Sequence, residues 1–210
     1  MVETQDKAYA FDFTGERLCL DFVNTLSERG SSAPEEHLNS YADLLAWSRQ
    51  AGIVDEQRGE QLQALSEGQP ERAGQEIEQA RWVREILFGI FSALAGGQSP
   101  RREDLEQFNA LLAATMKHAR IAPGDSGFVW DWSEGQDRLQ LPLWIVVRDA
   151  ADLLTSQELS RVRTCASDDC DWLFLDTSKN HSRRWCDMKS CGNRAKARRH
   201  YGRKKRSAAE

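Results

Sequence analysis

Four cysteines near the end of the chain, Cys165, Cys170, Cys186 and Cys191, stand as two C-x4-C pairs separated by fifteen residues. Two thiolate pairs on two short turns are the usual supply for a tetrahedral zinc site, and a set of four thiolates leaves no open position for catalysis. The expectation is one structural Zn2+ ion, with an iron–sulfur site or a catalytic zinc as the weaker alternatives. In a reducing cytosol clustered cysteines are metal ligands more often than disulfides. His181 and His200 fit no paired spacing and read as a polar turn residue and a helix-surface residue. Cys19, in RLCLDFVNTL, has no neighbouring His or Lys to lower its pKa and reads as a small buried apolar side chain.

The second pair runs directly into CGNRAKARRHYGRKKR. Residues 179–206 carry twelve Lys or Arg and one acid, Asp187, a net charge of +11 that leaves −16 on the rest of a chain whose total is −5. Such polarity points to a basic nucleic-acid-facing module on an acidic body. Arg183, Arg184, Asn193, Arg194, Lys196, Arg198, Arg199, Arg203 and Lys204 are the candidate contacts. Arg198, Arg199, Arg203 and Lys204 suit phosphates, while Asn193 and Arg194 could read bases or serve the fold, Asn193 as a cap or thiolate partner and Arg194 paired with Asp176 or Asp187. Six phosphate contacts on duplex DNA would give a slope of log K against log salt of roughly −5. DNA stands ahead of RNA, for which Trp185 and Tyr201 could stack on bases. A protein-interaction adaptor with purely structural zinc is a further reading.

These residues need elements to hold them. The first pair frames the turn ASDD, WLFLDTS reads as a strand, SKNHS as a turn and RRWC as a second strand, so the expectation is a hairpin between two metal-binding turns. RAKARRHYGRKK reads as a helix whose first turn carries Cys191. That order suits a small treble-clef-like zinc finger with four cysteine ligands, although a zinc ribbon has similar spacing. For a unit this small the metal dominates stability, on the order of 10–16 kcal/mol in zinc fingers.

Ahead of it the chain is mainly α with a small β-hairpin, an α+β body. Leu18, Phe22 and Leu26 lie one turn apart in a first helix. Helices follow over 39–51, 55–66, 71–95 and 101–119, and Pro142 opens another to about 155. Phe128, Trp130 and Trp132 alternate on one face, SEGQD reads as a turn, and RLQL as the returning strand. The expected division is 1–157 for the body and 158–206 for the finger.

An acidic helical body before a nucleic-acid module could sense a ligand or form a homodimer. Arg17 and Asn24 could contact a small molecule walled by Trp130, Trp132 and Trp144, although plain core packing is the commoner use of such tryptophans. No GxSxG, P-loop, GxGxxG or HExxH appears in the 210 residues, so an enzyme is not expected. No signal-like N-terminus is visible, and the longest apolar run, LPLWIVV, is too short to span a bilayer. The expectation is a cytoplasmic protein with no membrane partner.

The C-x4-C pair, WLFLDTS, RRWC and above all CGNR at Cys191–Arg194 resemble the CGNR zinc finger. GERLCLDFVNTL at 15–26 resembles the opening motif of the ABATE domain, which precedes that finger in its family. The resemblance covers essentially the whole chain and implies a stress-linked bacterial transcription regulator.

Overall fold

The computed structural model describes residues 9–132 and 138–198. The helices of the body are α1 (Leu18–Val23), α2 (Tyr41–Gln50), α3 (Glu56–Gly68), α4 (Pro70–Ala95), α5 (Arg102–Met116) and α6 (Leu141–Leu154). Three antiparallel two-stranded sheets pair β1 (Leu26–Ser27) with β2 (Glu35–Glu36), β3 (Ala119–Gly124) with β4 (Gly127–Trp132), and β5 (Val162–Thr164) with β6 (Leu173–Leu175). A π-helical turn, Met188–Gly192, leads into α7, described over 193–198. The fold is thus mainly helical with small sheets.

The helices begin and end on local chemistry. Ser40 and Asp43 close a capping box at the start of α2. The Asp55 carboxylate accepts from the Arg58 amide at 2.7 Å to start α3. Pro70 occupies the first turn of α4, where its missing N–H costs nothing. α4 then lays Ile77, Val83, Leu87, Ile90 and Phe91 into the core against α1, α2 and α5. α6 adds Leu143, Val146, Val147, Ala150 and Leu153. Each large apolar side chain among these, fully buried, contributes about 1.5–3 kcal/mol.

Four expectations change. α1 is only six residues long, so Leu26 lies not on its face but in β1. Within α1, Cys19, Leu20, Phe22 and Val23 are all buried, as befits a helix enclosed by α4 and α6. α5 stops at Met116 because the following residues form β3. β4 pairs with that preceding strand, across the two-residue loop Asp125–Ser126, and not with RLQL. Gly127, at φ 141, takes a backbone angle that other residues rarely adopt. RLQL instead forms a 3-10 turn and the start of α6.

The finger departs in the same way. β6 pairs with β5, which lies before Cys165, and RRWC is not a strand. The first cysteine pair therefore sits in the loop of the β5–β6 hairpin and not on one side of a later one. β6 has two apolar faces. Leu173 and Leu175 enter the main core with Val162, while Phe174 packs among the four cysteines. Alternation along a strand makes this division.

Candidate metal centre and nucleic-acid face

The cysteine quartet is assembled by short-range bonds. The Cys165 amide donates to the Trp172 carbonyl at 2.8 Å, closing the hairpin loop. The Cys170 amide donates to the Ser167 carbonyl at 3.0 Å, turning that loop inward. The second half is tied to the first where the Ala166 amide meets the Arg184 carbonyl at 2.8 Å and the Cys186 amide reaches the Cys165 sulfur at 3.4 Å. Asp187 then caps the π-turn by accepting from the Ser190 amide at 2.8 Å, which places Cys191 on the first turn into α7.

All four sulfurs are buried and lie within 4.8 Å of one another. The Cys170–Cys186 and Cys186–Cys191 sulfurs are 3.7 and 3.6 Å apart. That is far beyond a disulfide bond of about 2.05 Å. It matches the edge of a tetrahedron with zinc–sulfur bonds of about 2.3 Å, roughly 3.8 Å. Four thiolates this close repel unless a cation neutralises them, so the donor set fits a single tetrahedral ion. Among the described residues no further metal-ligating group joins the four sulfurs, and an ion held there would cross-link the two halves of the finger.

The CGNR residues divide their labour. Cys191 supplies a sulfur. Asn193 donates its side-chain amide to the Lys189 carbonyl at 3.0 Å, one turn back, and so closes the π-turn. Arg194 turns toward the metal set and places Nη2 3.1 Å from the Cys191 sulfur, which holds its guanidinium above the ordinary arginine pKa. Of the structural roles read for Asn193, neither a side-chain cap at the start of α7 nor a thiolate contact is seen; its amide group serves the preceding π-turn. The thiolate contact belongs to Arg194, which pairs with neither Asp176 nor Asp187.

The remaining basic candidates separate. Arg184 is exposed and lies over the Trp185 ring at 5.4 Å. Lys196 and Arg198 are exposed on α7. Arg198 is ion-paired with Asp168 and Asp169 in the first cysteine turn, and the Asp169 bond is the main cause of its raised pKa. Arg184, Trp185, Ala195 and Arg198 share one shallow groove with Ala166, Ser167 and Asp168. Arg199, Arg203 and Lys204 lie outside the described residues.

Arg183 has a different task. It donates to the Thr14 carbonyl at 2.8 Å, the Trp185 carbonyl at 3.0 Å, the Cys186 carbonyl and the Glu16 carboxylate at 3.3 Å, and it lies 4.5 Å above the Phe174 ring. Its guanidinium is a bolt between the finger and the opening segment of the chain. Nothing in the local run RRWC distinguishes it from Arg184, so the sequence carried no signal of this.

The opening motif GERLCLDFVNTL supports the finger. The Asn24 side chain both donates to the Leu173 carbonyl and accepts from the Leu173 amide, each at 2.9 Å. The Leu175 amide donates to the Gly15 carbonyl at 2.9 Å. Asp21 accepts from the Gly15 amide at 2.7 Å. A Cβ on Gly15 would lie 2.9 Å from the Asp21 backbone nitrogen, so only glycine fits. Burial raises the Asp21 carboxyl pKa to about 7.

The four ligand candidates of the body are not gathered into one pocket. Arg17 bonds Asp149 at 2.9 Å and Glu158 at 2.8 Å. Asn24 is committed to β6. Trp132 is buried and stacks on Trp144 with centroids 6.0 Å apart, whereas Trp130 is 40% exposed with Arg148 over its ring. The tryptophan row is one face of a hairpin whose base alone is packed. Cys19 is buried in the core.

No described helix is long and apolar enough to cross a membrane. No curated protein matches the chain. Residues 161–204 match the CGNR zinc finger, and residues 16–157 match the ABATE family, described as "Putative stress-induced transcription regulator". The fold brings the two matched regions together through Asn24 and Arg183, and the chain belongs to the ABATE family with a C-terminal CGNR zinc finger.

Proposed function

We propose that the protein is a zinc-dependent DNA-binding transcription regulator in which the metal fixes the start of α7 and that helix, with Arg184, meets the phosphate backbone. The observation that carries this reading is the position of Cys191. The last ligand lies on the turn that launches the basic helix, so the ion orients the exposed Lys196 and Arg198. The pairs between Arg198 and the aspartates are solvent-exposed and therefore weak. Phosphates, held with release of counterions, can replace them.

Anisotropy with duplex DNA tests the reading. Binding should need the metal and fall steeply with salt. Arg198→Glu should weaken it at least tenfold, and Asp168→Asn/Asp169→Asn should strengthen it by freeing Arg198. Metal-loaded protein without salt-sensitive binding would refute the proposal. Trp185, half-buried beside the same groove, supports RNA as the second reading, since single-stranded bases stack on aromatic rings. Competition between duplex DNA and structured RNA separates the two.

A further inference from the structure

We infer that Arg194 is a positioning residue of the metal centre, donating a charged hydrogen bond to the Cys191 sulfur that orients this ligand and covers part of its sulfur. The inference rests on the reading of the cysteine quartet as a metal site.

The geometry is specific. Cys191 is 2% exposed and is the one ligand carried into the basic helix; the other three belong to loops. Arg194, three residues on, lies on the same helical face one turn later. Its Nη2 stands 3.1 Å from the sulfur, well within the range of N–H···S contacts, although much of its side chain is exposed. A site with four thiolates around a divalent ion carries a net charge of −2. A nearby guanidinium offsets part of that charge without competing for the metal, because arginine does not ligate under ordinary conditions.

The sulfur also needs cover. Cys170, Cys186 and Cys191 border a polar cavity at the junction of finger and body, and Arg194 forms part of its wall together with His37 and Glu35. The cavity offers solvent and small reagents an approach to three of the four ligands. Arg194 lines the same cavity beside Cys191, with its guanidinium against that sulfur. Hydrogen bonds to ligand atoms typically change metal affinity 10–100-fold when removed. Lysine at this position would retain the charge but not the planar fork that aims one N–H at sulfur.

Full-length protein, Arg194→Ala, Arg194→Lys and Arg198→Glu are loaded with cobalt(II) and zinc. Expected for Arg194→Ala are a 10–100-fold loss of zinc affinity in chelator competition, a shift of the sulfur-to-cobalt charge-transfer band to lower energy, and faster alkylation of the loaded protein by iodoacetamide. Arg194→Lys should fall between Arg194→Ala and wild type in all three. Arg198→Glu should weaken DNA binding and leave the metal readouts unchanged. Wild-type protein that takes up metal while both Arg194 variants match it in affinity and band energy overturns this inference alone. Wild-type protein that takes up no metal overturns the inference and the zinc-dependent function together. Should Arg194→Ala fail to fold, Arg194→Lys still decides, since an unshifted band and unchanged affinity there would contradict the need for the fork.

Discussion

At the scale of the residue, identity says less than placement. Arg183 and Arg184 are neighbours of one type, yet the first binds carbonyls of both the finger and the opening segment while the second points outward. Asp21 shows the same dependence. Its burial raises the carboxyl pKa to about 7 from an ordinary 3.8, despite the Gly15 amide and Arg183, which favour the charged form, and with Glu16 and Asp149 adding to the rise. A carboxyl raised in the folded state binds more protons than the unfolded chain between those two values. Its contribution is therefore present below about pH 4 and is lost as pH rises toward 7, at roughly 1.4 kcal/mol per unit. Asp21→Asn, which can still accept from the Gly15 amide, should remove this dependence. The difference in melting temperature between variant and wild type should grow in favour of the variant from pH 4 to pH 7. A constant difference across that range would contradict the assignment.

At the scale of the element, the strand β6 ties the finger to the body. Its Leu173 and Leu175 fill the body core, its Phe174 fills the cysteine cluster, and its outer edge is closed by Asn24 and Gly15. An edge strand with unpaired amides is a liability, and here the opening motif covers it. Asn24→Ala should leave the Leu173 amide and carbonyl buried without partners, at about 1–3 kcal/mol for each unsatisfied group. The melting temperature should fall clearly, and zinc should be surrendered more easily to a chelator because the hairpin holding Cys165 and Cys170 loosens. Unchanged metal retention in a destabilised variant would show that the finger keeps its shape without this support. The β3–β4 hairpin is the contrasting case: Phe128 is 79% exposed while Trp132 is buried at the base, so only one end of the apolar row is core.

At the scale of the whole molecule, body and finger are joined through shared core rather than through a tether. Val162, Leu173 and Leu175 of the finger hairpin belong to the same apolar cluster as α1, α4 and α6. Removal of the metal should therefore lower the melting temperature of the helical body itself, followed by far-ultraviolet circular dichroism. A single shifted transition is expected, as for a cooperative unit. A body transition that stays in place while a small separate one disappears would mean that the two parts fold independently.

Much of this architecture was legible in the chain. Capping residues, prolines and apolar periodicity place α2, α3, α4 and α6 within a few residues, because helix boundaries depend on neighbours three or four positions away. The cysteine spacing announces the metal set for a similar reason: each pair is local, and four sulfurs have few ways to converge on one ion. The strand partners were not legible. Both hairpins were expected to fold onto the segment that follows, and both fold onto the one before, β4 onto β3 and β6 onto β5. A strand pattern states which face is apolar but not which of two flanking strands will pair with it. The roles of Arg183 and Asn24 were decided by tertiary structure alone. Each depends on an atom brought close by the fold: a carbonyl 169 residues away for Arg183 and both backbone groups of Leu173 for Asn24. Hydrogen bonds act over about 3 Å and leave no periodic trace in a sequence. The chain by itself therefore determined the helices and the metal-binding residue types, while only their packing determined which side chains hold the centre together and which face outward.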